Sequence, residues 1–405
     1  MTGSFFGKVI ILKERRKVDM WKKLCLVVVG ALFLVGSLGT LATAQPPWDE
    51  NMIGDEEGRA QVVVDCRKFK KDPPWTIGFS NADMGDPWRV FFWDQIQWMA
   101  EKYPRIKEIY HTNANNEPSK QLADVEDLLA KGIDLLLISA CTESAALSAI
   151  KAAYERNIPV VCVDRGTASP YFVTQVYTDQ VFLGRLAASA LCAELGGRGK
   201  IVILQGNPGS GPTRDRQEGF DDVLALFPQV EVLATRPCDW STAKGKAVME
   251  DLLVRHPDID GVLSQSGIMT VGAYEAAKEA GRLEELRWGE VDCYNGWMKL
   301  LNAQKLKTGV GAESTTWCGA QSVEAAVKIL EGKPVPGHIN TPTVIVTPQN
   351  VNDWVMPEAP DTYWINFIGR GYAEGKGPKW DAVVGDWYGG WVDTSKREGK
   401  DLPGL

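Results

Sequence analysis

Histidine is scarce in this chain: there are three in 405 residues, His111, His256 and His338, and none sits at metal-pair spacing or in an HExxH motif. A histidine-based hydrolase or a zinc enzyme has little to work with. Cysteine offers no substitute, because no CxxC pair occurs among the eight cysteines. There is no GxSxG elbow, and no GxGxxG follows the first predicted strand, which removes the simplest esterase and dehydrogenase readings. The run Gly206-Asn207-Pro208-Gly209-Ser210-Gly211 has the look of a phosphate loop, but Pro212-Thr213 stands where a Walker motif carries Lys-Ser/Thr. It reads as a glycine-rich turn entering a helix. Basic residues are also in deficit, 44 against 52 acidic, and the net charge of −8 argues against binding nucleic acid by phosphate neutralisation.

What is present is an ordinary globular composition, 44% hydrophobic and 24% charged, at a length that suggests two domains. Lys22 and Lys23 precede an apolar run from Leu24 to Leu38, and Ala42-Thr43-Ala44 supplies small residues suited to cleavage. Residues 1–44 are therefore expected to be a secretory signal peptide, the run being short for a membrane span. The basic stretch before Met20 makes that methionine an alternative start. Removing residues 1–44 leaves 37 basic and 50 acidic residues, a net charge of −13, which disfavours anionic ligands. Cys25 leaves with the signal, and the remaining seven, an odd number, leave at least one thiol unpaired. Cys141, Cys162 and Cys192 lie in apolar surroundings and are expected to be buried as free thiols.

From Trp75 onward, short β-branched runs alternate with longer amphipathic ones. Strands are expected at 76–80, 108–111, 133–139 and 160–164, with helices at 87–103, 119–131 and 144–156 between them. A second series follows, with strands at 200–204, 231–235, 261–263 and 286–292 and helices at 213–227, 242–256 and 270–280. This alternation predicts an α/β fold of two doubly wound parallel-sheet lobes, with the extended run 173–179 crossing between them. Residues 45–72 read as a leader. The stretch from Asp353 to Leu405 is rich in glycine and carries Trp354, Trp364, Trp380, Trp387 and Trp391 without periodicity, and is expected to wrap a lobe.

Polar residues collect where these strands end, and open α/β sheets bind ligands at the carboxyl ends of their strands. Trp88-Arg89, Asp164-Arg165, Arg214-Asp215-Arg216, Trp240 and Asp292 suit polyols. Paired carboxylates and guanidiniums fix hydroxyls by charge-assisted hydrogen bonds, and an indole covers the C–H face of a ring. Each has a duller reading, as a surface ion pair or as lobe packing.

Several stretches, in order, carry a resemblance: Gly85-Asp86-Pro87-Trp88-Arg89, Ile158-Pro159-Val160 with Asp164-Arg165, Thr178-Asp179-Gln180, Leu204-Gln205-Gly206, Arg214 to Phe220, Cys238-Asp239-Trp240 with Lys244 to Met249, and Asp292. From about Trp75 to Val346 the chain resembles the type I periplasmic sugar-binding proteins of ABC importers, the ribose and galactofuranose binders in particular. The resemblance implies two lobes joined by a three-crossing hinge near Tyr177, Glu313 and Thr341, with the ligand in the cleft. It divides the chain into an N-terminal lobe, 73–176 plus 314–341, a C-terminal lobe, 177–313 plus 342–352, and an extension, 353–405. It further implies that Trp88 and Trp240 sandwich a monosaccharide, that Arg89, Asp164, Arg165, Arg214, Arg216 and Asp292 bind its hydroxyls, and that Glu313 lies near the second crossing. One departure is the family's usual Asn-Asp pair, replaced here by Ser266-Gly267, so that Ser266 stands where a carboxamide would be.

The implied activity is that of a periplasmic solute receptor, monomeric, that presents a pentose or furanose-form hexose to a membrane permease without cofactor, metal or catalysis. A sugar-responsive regulator or chemoreceptor-coupled sensor shares the two-lobe body, but a regulator would need a DNA-binding headpiece where this chain has a signal. A carbohydrate-active enzyme would need a catalytic carboxylate pair.

Overall fold

The computed structural model describes residues 63–292, 294–303, 311–312, 314–341, 343 and 345–365. The expected signal peptide, Cys293, Glu313, Trp380, Trp387 and Trp391 lie outside them. After a two-residue strand β1 (Val63–Val64), the chain lays down β2 (Trp75–Asn81), α1 (Pro87–Glu101), β3 (Ile106–Asn113), α2 (Pro118–Ala130), β4 (Leu135–Ile138), α3 (Ala146–Glu155), β5 (Val160–Val163) and β6 (Thr174–Tyr177). A second series comprises α4 (Gln180–Glu194), β7 (Arg198–Gln205), α5 (Gly211–Leu224), β8 (Gln229–Pro237), α6 (Thr242–Arg255), β9 (Gly261–Ser264), α7 (Gly267–Glu279), β10 (Arg287–Glu290) and α8 (Asn295–Asn302). The chain then returns through β11 (Gly311–Ala312), α9 (Trp317–Leu330), β12 (Val335–Pro336), β13 (His338–Asn340) and β14 (Ile345–Val346).

Two parallel sheets result, ordered β13-β6-β5-β4-β2-β3 and β10-β9-β7-β8. In each, the opening strand has its successor on one side and the next strand on the other. The strand order therefore reverses beside β2 in the first sheet and beside β7 in the second, and such reversals leave a crevice at the carboxyl ends. The central strands are apolar throughout: β4 is Leu-Leu-Leu-Ile and β5 is Val-Val-Cys-Val, every residue buried. Such runs form when helices cover both faces of a sheet. Helix starts are marked as chemistry requires. The Asp86 carboxylate accepts from the Arg89 amide at 3.0 Å with Pro87 at the first helical position, and Asp179 accepts from the Phe182 amide at 2.9 Å.

The segment 173–179 does more than cross. Residues 174–177 form β6, paired with β5 and β13 inside the first sheet, so the crossing begins only at Thr178. Three passages between the sheets run side by side. The Thr178 and Thr341 hydroxyls lie 2.7 Å apart, the Asp179 amide donates to Asn340 Oδ1 at 3.1 Å, and Gln180 Nε2 donates to Ser314 Oγ at 3.0 Å. β11 and β14 pair antiparallel next to them.

Residues 347–365, which follow β14, pack into the body. Trp354 and Trp364 are each 1% exposed, and both belong to the main apolar core. The six described cysteines, Cys66, Cys141, Cys162, Cys192, Cys238 and Cys318, are all buried free thiols.

Candidate functional site

A cavity opens between the carboxyl ends of the two sheets. Its walls include Trp88, Arg89, Asp164 and Arg165 from the first lobe, and Arg216, Trp240 and Asp292 from the second. Seven of the ten residues singled out from the sequence thus converge on one space.

The first-lobe arm grows from α1. Arg89 Nη2 donates to Asp164 Oδ2 at 2.9 Å and Nη1 donates to Ser139 Oγ at 2.9 Å, while Asp83 lies 3.9 Å from its Nε. The guanidinium is almost wholly buried, so burial favours losing its charge, but the carboxylates of Asp164, Asp83 and Asp86 outweigh that and hold it above the ordinary arginine range. Arg165 lies deeper, donating to Asn116 Oδ1 at 3.2 Å and to the Ala140 and Cys141 carbonyls. Burial, with Arg89 close by, pushes it down to about 10. Trp88 stacks on Phe92 at 4.8 Å and donates its indole N–H to the Ser314 carbonyl at 2.7 Å, which ties this ring to the second hinge passage.

The second-lobe arm rests on a close helix crossing. A Cβ at Gly184 of α4 would lie 2.4 Å from the Arg216 carbonyl, so only glycine lets α5 approach closely enough to set Arg216. Arg216 then spans three groups: Asp292 through two bonds of 3.1 and 3.2 Å, Gln180 Oε1 at 2.7 Å, and the Gln265 carbonyl. Burial raises the Asp292 carboxyl, and Arg216 and Ser266 offset part of the rise. The Trp240 ring lies flat over Gly206, where a Cβ would fall 1.8 Å from Trp240 Cζ2, and the Arg216 guanidinium sits 5.3 Å from the ring centre. This explains the glycine that opens the phosphate-like run.

Three of these residues have left-handed backbones: Asp164 at φ 62°, Trp240 at φ 56° and Asp292 at φ 92°. Such conformations cost about 1–3 kcal/mol each and persist where surrounding structure imposes them. All three end a strand or a strand–helix turn and point a side chain into the cavity.

Three expectations need correction or lie elsewhere. Arg214 does not line the cavity: it is exposed and pairs with Asp215 and with Glu143 of the opposite lobe at the cleft's rim. It is two residues from Arg216 on α5, about 200° around the helix, so both cannot face inward. Ser266 is buried beneath the cavity, where its hydroxyl caps α7 at the Ile268 amide, 3.3 Å away, and bonds Asp292. Glu313 lies outside the described residues, although its neighbour Ser314 is at the wall. Ile268, two residues beyond Ser266 in α7, does line the cavity, as does Trp364.

Asp86, Pro212, Ile268, Ser314 and Trp364 also line the cavity and were not singled out as ligand contacts. Asp86 had a signal, standing beside Trp88-Arg89 in the same motif. Burial raises its carboxyl to about 6. Trp364 had none, for it reaches the site only through a tertiary bridge to Tyr294. No group of three or more potential metal ligands occurs among the described residues.

Comparison with known proteins agrees with this geometry. The profile of the periplasmic binding protein domain family matches residues 77–334. The ribose import binding protein of Escherichia coli is 32% identical over 274 residues, covering 68% of this chain and 90% of that protein. Among solved structures, an ABC transporter solute-binding protein from Mycobacterium smegmatis with bound glycerol matches with a TM-score of 0.66 at 28% identity, over 72% of this chain and 99% of that one. The binding component of the arabinose ABC transporter from Shewanella, bound to L-arabinofuranose, matches with a TM-score of 0.64 at 26% identity, over 68% and 93%.

Proposed function

The chain belongs to the periplasmic binding protein family, and from that premise we propose that it is the solute receptor of an ABC sugar importer, closing two lobes around a monosaccharide. One observation carries this reading: each lobe brings to the shared cavity a buried guanidinium–carboxylate pair, Arg89–Asp164 and Arg216–Asp292, beside an indole, Trp88 or Trp240. Charged planar groups bind hydroxyls from two directions while the indoles cover C–H faces, which is the chemistry of a small polyol. The pairs also neutralise each other within each lobe, so no net charge is left to attract an anion.

The ligand is a pentose or a furanose-form hexose, held without cofactor or chemical change. The lobes are 73–176 with 314–341 and 177–313 with 342–352, and the hinge passages at Thr178, Ser314 and Thr341 let them part. Export by residues 1–44 places the receptor in the periplasm as a monomer, where its closed form docks on a membrane permease.

Thermal-shift screening against pentoses, hexoses and polyols tests the reading. A sugar at 100 times its dissociation constant adds about 2.7 kcal/mol to a protein that binds it only when folded. The hit should be recovered unaltered, and the radius of gyration should fall on saturation. A screen in which no sugar moves the midpoint overturns the proposal.

A further inference from the structure

The family profile ends at residue 334, yet the cavity wall includes residue 364. The segment that delivers it is built into the body. Asn295, fully buried at the start of α8, donates its side-chain amide to the carbonyls of Met356 at 3.0 Å, Ala359 at 3.2 Å and Pro360 at 3.0 Å, and its Oδ1 accepts from the Met356 amide at 3.1 Å. The Asn295 amide donates to the Tyr363 carbonyl and the Gly296 amide to the Asp361 carbonyl, both at 3.0 Å. Lys299 Nζ adds a 2.9 Å ion pair with Asp361. Trp364 then pairs with Tyr294 as an antiparallel bridge, with ring centres 6.3 Å apart.

All of these anchors belong to the second lobe. The first lobe is touched by the side chain just before Trp364: the Tyr363 ring meets Phe91 of α1 edge to face, 4.9 Å between centres at 80°. Residues 354–365 therefore form a strap, fixed on one lobe and resting on the other beside the cavity.

We infer that this strap is part of the binding site, with Trp364 the third aromatic wall and, together with Ile268, the selector of ligand size and polarity. The inference rests on the sugar-receptor reading above. A ring edge pressed against Trp364 and Ile268 meets an apolar surface, so a hydroxyl there would be stripped of water without a partner. The site so built takes pentoses and deoxysugars in preference to hexoses that carry an exocyclic hydroxymethyl group.

The experiment is calorimetric titration of D-ribose, xylitol, D-galactose and its 6-deoxy counterpart D-fucose into wild type, Trp364→Ala, Trp364→Phe, Trp364→Leu and Phe91→Ala. Trp364→Ala is expected to weaken the sugar that wild type binds best by at least tenfold, and to bring the D-fucose to D-galactose affinity ratio, above one in wild type, down to about one. Wild-type affinity and ratio in that variant overturn the inference. If Trp364→Ala does not fold, the other two substitutions decide: an aromatic wall requires Phe to bind several-fold tighter than Leu, and equal affinities refute it.

Phe91→Ala lies outside the wall and reads the strap without any ligand. Hydrogen exchange in the sugar-free protein should quicken across residues 354–365, and an unchanged rate refutes the contact between the lobes. If wild type binds none of the three sugars and not xylitol either, the ligand role of Trp364 falls with the receptor reading, while the exchange result still decides the strap.

Discussion

Arg216 and Asp292 meet through two parallel hydrogen bonds of 3.1 and 3.2 Å at the floor of the second lobe, each almost entirely withdrawn from solvent. Removing one partner of such a pair leaves a buried charge unpaired, which typically costs about 3–5 kcal/mol. Asp292→Ala is therefore expected to lower stability as well as abolish sugar binding. Asp292→Asn keeps hydrogen-bonding capacity and should lose less stability. Denaturant titration beside calorimetry checks both, and equal stability losses in the two variants would contradict the assignment.

Gly206→Ala places a methyl group within 1.8–2.2 Å of the Trp240 ring. Gly206 is buried, but the atoms it would meet are the far end of a side chain that can swing away, so the fold should survive with a loss of about 1 kcal/mol, the centre of the range for single substitutions. The binding face of the indole is lost with that movement. Affinity is expected to fall at least tenfold with little change in midpoint. An unchanged affinity would remove Trp240 from the site.

Arg214 and Glu143 reach across the rim from opposite lobes and are both partly exposed. An exposed pair contributes about 0.2–1 kcal/mol and is screened by salt. Arg214→Ala should weaken sugar binding by about fivefold at most at low ionic strength. In about 1 M salt, where the screening length is roughly 3 Å, the difference should vanish. A loss that persists at high salt would put Arg214 back among the ligand contacts.

His111 stacks on both Phe79 at 5.2 Å and Trp93 at 4.3 Å, and burial pushes it from 6.5 down to about 4. Between those values the unfolded chain binds a proton that the folded one does not, so folding stability falls as pH drops from 6.5 to about 4. His111→Phe removes that contribution. Wild type should lose stability relative to the variant over that window and stay parallel above pH 7, measured by denaturant titration at each pH. Parallel curves throughout would show His111 protonating freely in the native state.

Much of the sheet architecture was legible because strands covered on both faces must be apolar throughout, as Leu135 to Ile138 are. Periodicity failed where helices are buried on most sides. In α9, twelve of the residues from Trp317 to Leu330 are buried, so only a narrow polar stripe at Glu324 and Lys328 marks it, and α4 is largely apolar along its length. Strand-end chemistry pointed to Asp164, Arg216 and Asp292, but not to which arginine of Arg214-Asp215-Arg216 faces inward, because helical phase depends on where α5 begins. Trp364 was out of reach for a different reason. Its place depends on pairing with Tyr294, seventy positions earlier, and no local pattern encodes such a contact.

The six buried thiols give each lobe an internal reporter. Cys141 and Cys162 lie in the first lobe, Cys192 and Cys238 in the second, and burial pushes all four thiols well above the ordinary cysteine range. A thiolate must form before an alkylating reagent reacts, so modification waits for the surrounding layers to separate. The order in which these four sites are modified is thus a timetable of opening, lobe by lobe, readable by mass spectrometry without a single engineered label.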